Sequence, residues 1–125
     1  MDDERRQYQR IATDHSIQLM DGDRILPALA LDISLLGMQL LCDSATADSI
    51  TRRLNEGDDE IRVKIPHATG GVDAWCKVVY LRHSADDECR LGLEYTQFLD
   101  GSYDWLENFV DEGGIENSAF AVRKH

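Results

Sequence analysis

Apolar and polar residues alternate in short runs along most of this chain, which is the period of a half-buried β-strand. Ile61, Val63 and Ile65 alternate with Arg62 and Lys64, and Leu91, Leu93 and Tyr95 alternate with Arg90, Gly92 and Glu94. Ile17 and Leu19 repeat the pattern on a smaller scale. The turn Asp21-Gly22-Asp23 then predicts a hairpin into a second strand around 25–33. Segments 36–42 and 73–82 complete a set of about six strands, with Gly70-Gly71 as the turn before 73–82. Six short strands joined by tight turns predict a mainly β fold, an antiparallel barrel that is closed or nearly so.

Two segments follow a helical period instead. Between Ser44 and Asn55, Ala47, Ile50 and Leu54 recur at helical spacing, with Ser44 as the expected cap and Gly57 as the stop. This short helix is expected to plug or flank the barrel. From 102 to 112, Tyr103, Leu106, Phe109 and Val110 predict an apolar face and Asp104, Glu107 and Asp111 a polar one. The polar face is either a docking surface for a partner or a solvated helix face. Gly113-Gly114 should end the helix, and the tail after Glu116 carries too little apolar content to pack.

Composition narrows the function. The chain has 125 residues, enough for one core and one domain, divided as an arm over 1–11, a barrel over 12–97, a helix over 102–112 and a tail over 113–125. With 13 Lys and Arg against 24 Asp and Glu, the net charge of -11 opposes non-specific binding to nucleic acid polymers or to an anionic membrane. A bound anion must therefore be held locally. No apolar run is long enough to span a membrane and the start does not read as a signal peptide, so a cytoplasmic protein without membrane insertion is expected. Cys42, Cys76 and Cys89 show neither a disulfide framework nor zinc spacing, and the four histidines are scattered, so no metal is expected.

Two motifs carry candidate chemistry. Arg5, Arg6 and Arg10 put three guanidiniums on a segment too polar for a core, each a planar fork of donors suited to phosphate oxygens. Alone, this run also fits a solvated charged terminus. The second motif is Asp32-Ile33-Ser34-Leu35-Leu36-Gly37. On a strand continuing through it, Asp32 and Ser34 would share a face and their oxygens would converge, with Gly37 free to take a positive φ and to let a ligand approach the backbone. Alone, this loop also fits a turn whose Asp and Ser satisfy only their own backbone.

In this order and at this separation the two motifs resemble those of the PilZ family of bacterial cyclic di-GMP receptors, whose pattern is RxxxR followed by (D/N)xSxxG. The pattern reads here as Arg6-Gln7-Tyr8-Gln9-Arg10 and Asp32-Ile33-Ser34-Leu35-Leu36-Gly37, with every defining position filled. Val78-Val79-Tyr80 and Arg90-Leu91-Gly92-Leu93-Glu94-Tyr95 are similar to the family's closing strand pair. The resemblance covers roughly residues 4–110.

The resemblance implies a six-stranded PilZ-type barrel and a stand-alone receptor that uses no cofactor. Arg5, Arg6 and Arg10 would wrap over cyclic di-GMP, contacting phosphates and stacking on guanine, and Asp32, Ser34 and Gly37 would address a guanine and its ribose. An Arg directly before RxxxR accompanies two stacked ligand molecules in this family, so an intercalated pair is expected from Arg5. Arginine suits the task because one side chain can pair with a phosphodiester and stack on a base. Trp75 is a weaker candidate for a further stacking face, since the same position also fits a half-buried core tryptophan. Capture of the ligand would order the arm and alter the surface shown to an unidentified protein effector, with a monomeric chain controlling motility, polysaccharide or biofilm formation. The alternative is a ligand-independent adaptor acting through protein contacts alone. An enzyme is not expected, because no nucleophile with an adjacent base is visible; Cys76 and Cys89, expected to face each other across neighbouring strands, fit small apolar residues.

Overall fold

The structure is a computed structural model in which residues 9–113 are described. Strands β1 (Ile11–Ala12), β2 (Ser16–Asp21), β3 (Arg24–Ile33) and β4 (Gly37–Cys42) lead into helix α1 (Ser44–Asn55). Strands β5 (Glu60–His67), β6 (Gly70–Ala85) and β7 (Glu88–Phe98) lead into helix α2 (Ser102–Asp111). The antiparallel order is β1-β3-β2-β5-β6-β7-β4, and β3 also pairs with β4. That last pairing joins the two sides of the sheet, so β2 to β7 form a closed six-stranded barrel, as the strand pattern predicts. β1 is an addition that the sequence reading lacks. It takes the edge of β3 that β2 vacates, with Ile11 opposite Ile33 and Ala12 opposite Asp32.

The alternation seen in sequence becomes the inside and outside of the barrel. Ile17, Leu19, Ile61, Val63, Ile65, Leu91 and Leu93 are buried and pack as one cluster with Ile50 of α1 and Trp105, Leu106, Phe109 and Val110 of α2. Each such Ile, Leu or Phe contributes about 1.5–3 kcal/mol by leaving water.

Both helices stand where the spacing puts them, with two corrections. Asp43, not Ser44, caps α1, its carboxylate accepting from the Thr46 amide at 2.8 Å. Trp105, not Tyr103, lies on the buried face of α2, since positions 102, 105, 106, 109 and 110 share one stripe and Tyr103 stands 40% exposed beside it. The Trp105 indole donates to Thr69, and the Ser102 hydroxyl exchanges hydrogen bonds with the backbone of Asp73, which ties α2 to β6.

The cysteines also differ from expectation. Cys76 stands opposite Tyr95, while Cys89 stands between His83 on β6 and Cys42 on β4. The β6–β7 turn falls at Asp86-Asp87, beyond the expected end of the strand at 82, and Asp87 takes a positive φ of 52° that aspartate tolerates. Longer strands separate Cys76 from Cys89.

Candidate functional site

The loop between β3 and β4 is built by Ser34. Its hydroxyl accepts from the amides of Leu36 and Gly37, both at 3.2 Å, and donates to the Gly37 carbonyl at 3.2 Å. The side chain is 2% exposed. The expected convergence of the Asp32 and Ser34 oxygens is therefore not formed. Strand β3 ends at Ile33 after a register shift between Ala30 and Asp32, so the alternation that would have aligned the two residues stops short. Asp32 faces outward while Ser34 closes its own turn.

Gly37 is required by strand packing and not by the positive φ expected of it. It is the first residue of β4 and does not adopt a positive φ. A Cβ placed there would lie 2.0 Å from the Leu93 carbonyl oxygen, so only glycine lets β4 approach β7 this closely. Tyr95 continues the same clamp by donating its amide to the Leu36 carbonyl at 2.9 Å.

Above this loop the two sequence motifs meet. The Arg10 guanidinium donates to one carboxylate oxygen of Asp32, and the other oxygen accepts from the Gln39 amide at 3.3 Å. Gln39 in turn accepts from the Tyr80 hydroxyl at 3.0 Å, and the Arg82 guanidinium lies 4.6 Å from the centre of the Tyr80 ring. Arg10, Asp32, Leu36, Gln39, Tyr80 and Glu94 line an open cleft of about 400 Å³. Leu36 and Val79, 39% and 57% exposed, give it an apolar border. Tyr80 rests on Gly92, where a Cβ would come within 2.1 Å of the ring.

Of the sequence-predicted residues, Arg10, Asp32 and Gly37 share this cleft, with Ser34 beneath it. Arg5 and Arg6 lie outside the described residues. Trp75 is not brought to the cleft. It borders a separate one of about 380 Å³ with Met20, Arg53, Arg62 and Lys64, and it pairs with Arg62, whose guanidinium is held by Asp73 at 2.7 and 2.8 Å. Gln39, Tyr80 and Gly92 were missed as site residues. A lone glutamine in Gly37-Met38-Gln39-Leu40-Leu41 was the available signal for an outward polar position. The irregularity between Val78 and Tyr80 that turns the tyrosine ring onto Gly92 has no sequence signature.

Comparison with known proteins settles the family. The family description "PilZ domain" matches residues 4–112. The chain belongs to the PilZ domain family. Solved structures share this PilZ fold at low identity. The Bacillus subtilis inhibitor of motility MotI/DgrA superposes with a TM-score of 0.61 at 15% identity, over 86% of this chain and 50% of that one. The Borreliella burgdorferi PlzA protein, solved in complex with c-di-GMP, superposes with a TM-score of 0.57 at 12% identity, over 86% of this chain and 52% of that one. The PilZ chain thus spans about half the length of these two proteins. No curated protein matches the sequence. Among the described residues there is no cluster of His, Cys, Asp and Glu suited to a metal ion, and no helix long and apolar enough to cross a membrane.

Proposed function

We propose that this PilZ chain is a receptor for cyclic di-GMP that takes the dinucleotide into the cleft bordered by Arg10, Asp32 and Tyr80 and signals its capture to a protein partner. One observation carries the reading: Arg10 of the first motif and Asp32 of the second are joined across one open cleft. The PlzA likeness supports it through the ligand named for that protein.

The chemistry follows from the partners. Arg10 is 56% exposed on its side chain, and exposed ion pairs are worth only about 0–1 kcal/mol, so a phosphodiester can take the guanidinium from Asp32 at little cost. The carboxylate so released accepts from the N1 and N2 donors of a guanine, and Gln39 keeps it oriented. Arg5 and Arg6 supply further phosphate and stacking contacts, and Arg5 favours two stacked ligands. Ser34 and Gly37 hold the loop in the shape that presents Asp32. Trp75, on its separate cleft, takes no part in this reading.

Titration calorimetry with cyclic di-GMP tests the proposal. Two ligands per chain are expected, and Arg10→Ala should weaken binding by about 10- to 150-fold, the equivalent of roughly 1.5–3 kcal/mol for a lost charged hydrogen bond. Its thermal stability should stay close to the parent's, because the side chain is exposed. Absence of binding at micromolar protein and low salt would overturn the receptor reading in favour of a ligand-independent adaptor.

A further inference from the structure

At the opposite end of the β4–β7 ladder from Gly37 and Glu94, Cys42 and Cys89 are direct cross-strand partners. They are 6% and 5% exposed and pack together with Ala47 in a small cluster of their own. The Tyr95 amide bonded to the Leu36 carbonyl fixes the phase of the ladder, whose register between Gly37 and Cys42 runs without a shift. By strict alternation Cys42 and Cys89 form a hydrogen-bonded pair, for which the Cα separation is about 5.5 Å. That lies within the roughly 4.4–6.8 Å over which two cysteines can be bridged. The Cys89 sulfur also lies 3.6 Å from Nδ1 of His83, an exposed residue on β6, and Cys42 borders an open cleft of about 440 Å³ between Leu29, Leu41 and Asp86-Asp87. The pair thus has a route for a small oxidant at Cys42 and an imidazole in contact with the Cys89 sulfur.

From this geometry we infer that Cys42 and Cys89 are a redox modification site, oxidised by a hydroperoxide to an intrachain disulfide. The step balances with hydrogen peroxide as oxidant. Cys42, which borders the cleft, attacks the peroxide O–O bond, forming a sulfenic acid, and its proton passes to the departing hydroxide, which leaves as water. Cys89 then attacks the Cys42 sulfur, the S–S bond forms, and the S–O bond breaks, releasing a second water with the Cys89 proton. The two thiols lose two electrons and the peroxide gains them. Burial pushes Cys42 up to about 11, with the neighbouring Cys89 and Asp43 adding to the rise, and burial raises Cys89 as well. Both therefore rest as thiols at neutral pH, and the reaction is slow and suited to sustained oxidant. A bridge at a hydrogen-bonded pair is stretched relative to the ideal Cβ spacing and is readily reduced again.

Cys76 is the internal control. It is fully buried on another strand pair, and burial pushes it up to about 12. The intact chain is treated with millimolar hydrogen peroxide, unfolded, and its free thiols are counted and mapped by peptide mass spectrometry. From the three reduced cysteines one thiol should remain, at Cys76, with a Cys42–Cys89 peptide pair that dithiothreitol reverses. The variants Cys42→Ser and Cys89→Ser should each form no intrachain bridge. Three surviving thiols, a bridge that includes Cys76, a disulfide between two chains, or conversion to sulfinic acid without a bridge would each overturn the assignment. None of these outcomes depends on what binds the Arg10–Asp32 cleft, so this inference and the receptor reading fail separately.

Discussion

Adding one methyl group at Gly37 should do more damage than at any other position in the cleft. The methyl would overlap the Leu93 backbone, which cannot move without parting β4 from β7. Gly37→Ala is expected to lower stability by about 1–3 kcal/mol, the usual range for overpacking, as read by thermal or denaturant unfolding. Gly92→Ala meets only the Tyr80 ring, a side chain that can swing aside and lose its bond to Gln39. It should therefore lower affinity for cyclic di-GMP, measured by calorimetry, with a smaller loss of stability. The sequence marks Gly37, with a positive φ expected that the structure does not adopt, and passes over Gly92, because close approach between strands is a property of pairing that a local pattern does not contain.

Tyr95 adds a pH dependence at the same scale. Its hydroxyl is buried with no hydrogen-bond partner among the described residues, and burial drives its ionisation well above the ordinary range, with Cys76 adding to the rise and Arg10 opposing it. The folded state thus favours the neutral phenol. Stability is intact below the unfolded value, about 10, and falls as pH climbs from there towards the folded value. Tyr95→Phe should remove that alkaline loss and keep or improve stability at neutral pH, as a series of melts across alkaline pH would show. The sequence reading assigned Tyr95 correctly to an alternating strand, but an unmet hydroxyl is visible only once its neighbours are.

At the scale of elements, periodicity is read well and caps and faces less so. The bounds of α1 agree at both ends because Ala47, Ile50 and Leu54 set the period and Gly57 follows the Glu56 cap with a positive φ. The cap itself was misplaced by one residue, since Asp43 and Ser44 are both good caps and only the geometry of the first turn separates them. Asp43→Ala should cost about 1 kcal/mol, whereas Ser44→Ala should cost little, a contrast that paired denaturant curves resolve. Ser34 shows the same limit in the loop. Its hydroxyl was legible as a turn former or as a ligand contact, and in this structure it closes the turn where β3 ends at Ile33.

For the whole molecule, the receptor reading makes a prediction that spans the N-terminal segment and the barrel. Protection of amides across residues 5–12 should rise when cyclic di-GMP is added, as followed by hydrogen exchange, because the ligand would join that segment to the β3–β4 loop. Equal exchange with and without the nucleotide would remove the ordering step from the mechanism. The strand count, and hence the barrel, was legible because each strand keeps one face in a shared core; the meeting of Arg10 with Asp32 was legible only through motif resemblance, since composition alone sets a charge of -11 against an anionic ligand. Closure of the barrel by β3 and β4 has one more result. Most of the barrel's strand length has a neighbour on both sides, and the open margins of the described sheet include the two-residue Ile11–Ala12 and the end of β6 from Val79 to Ala85, which runs past β5 and has β7 alone beside it. The first is too short to template a foreign strand, and the second carries exposed Arg82, His83 and Ser84, polar and charged side chains of the kind that discourage such pairing.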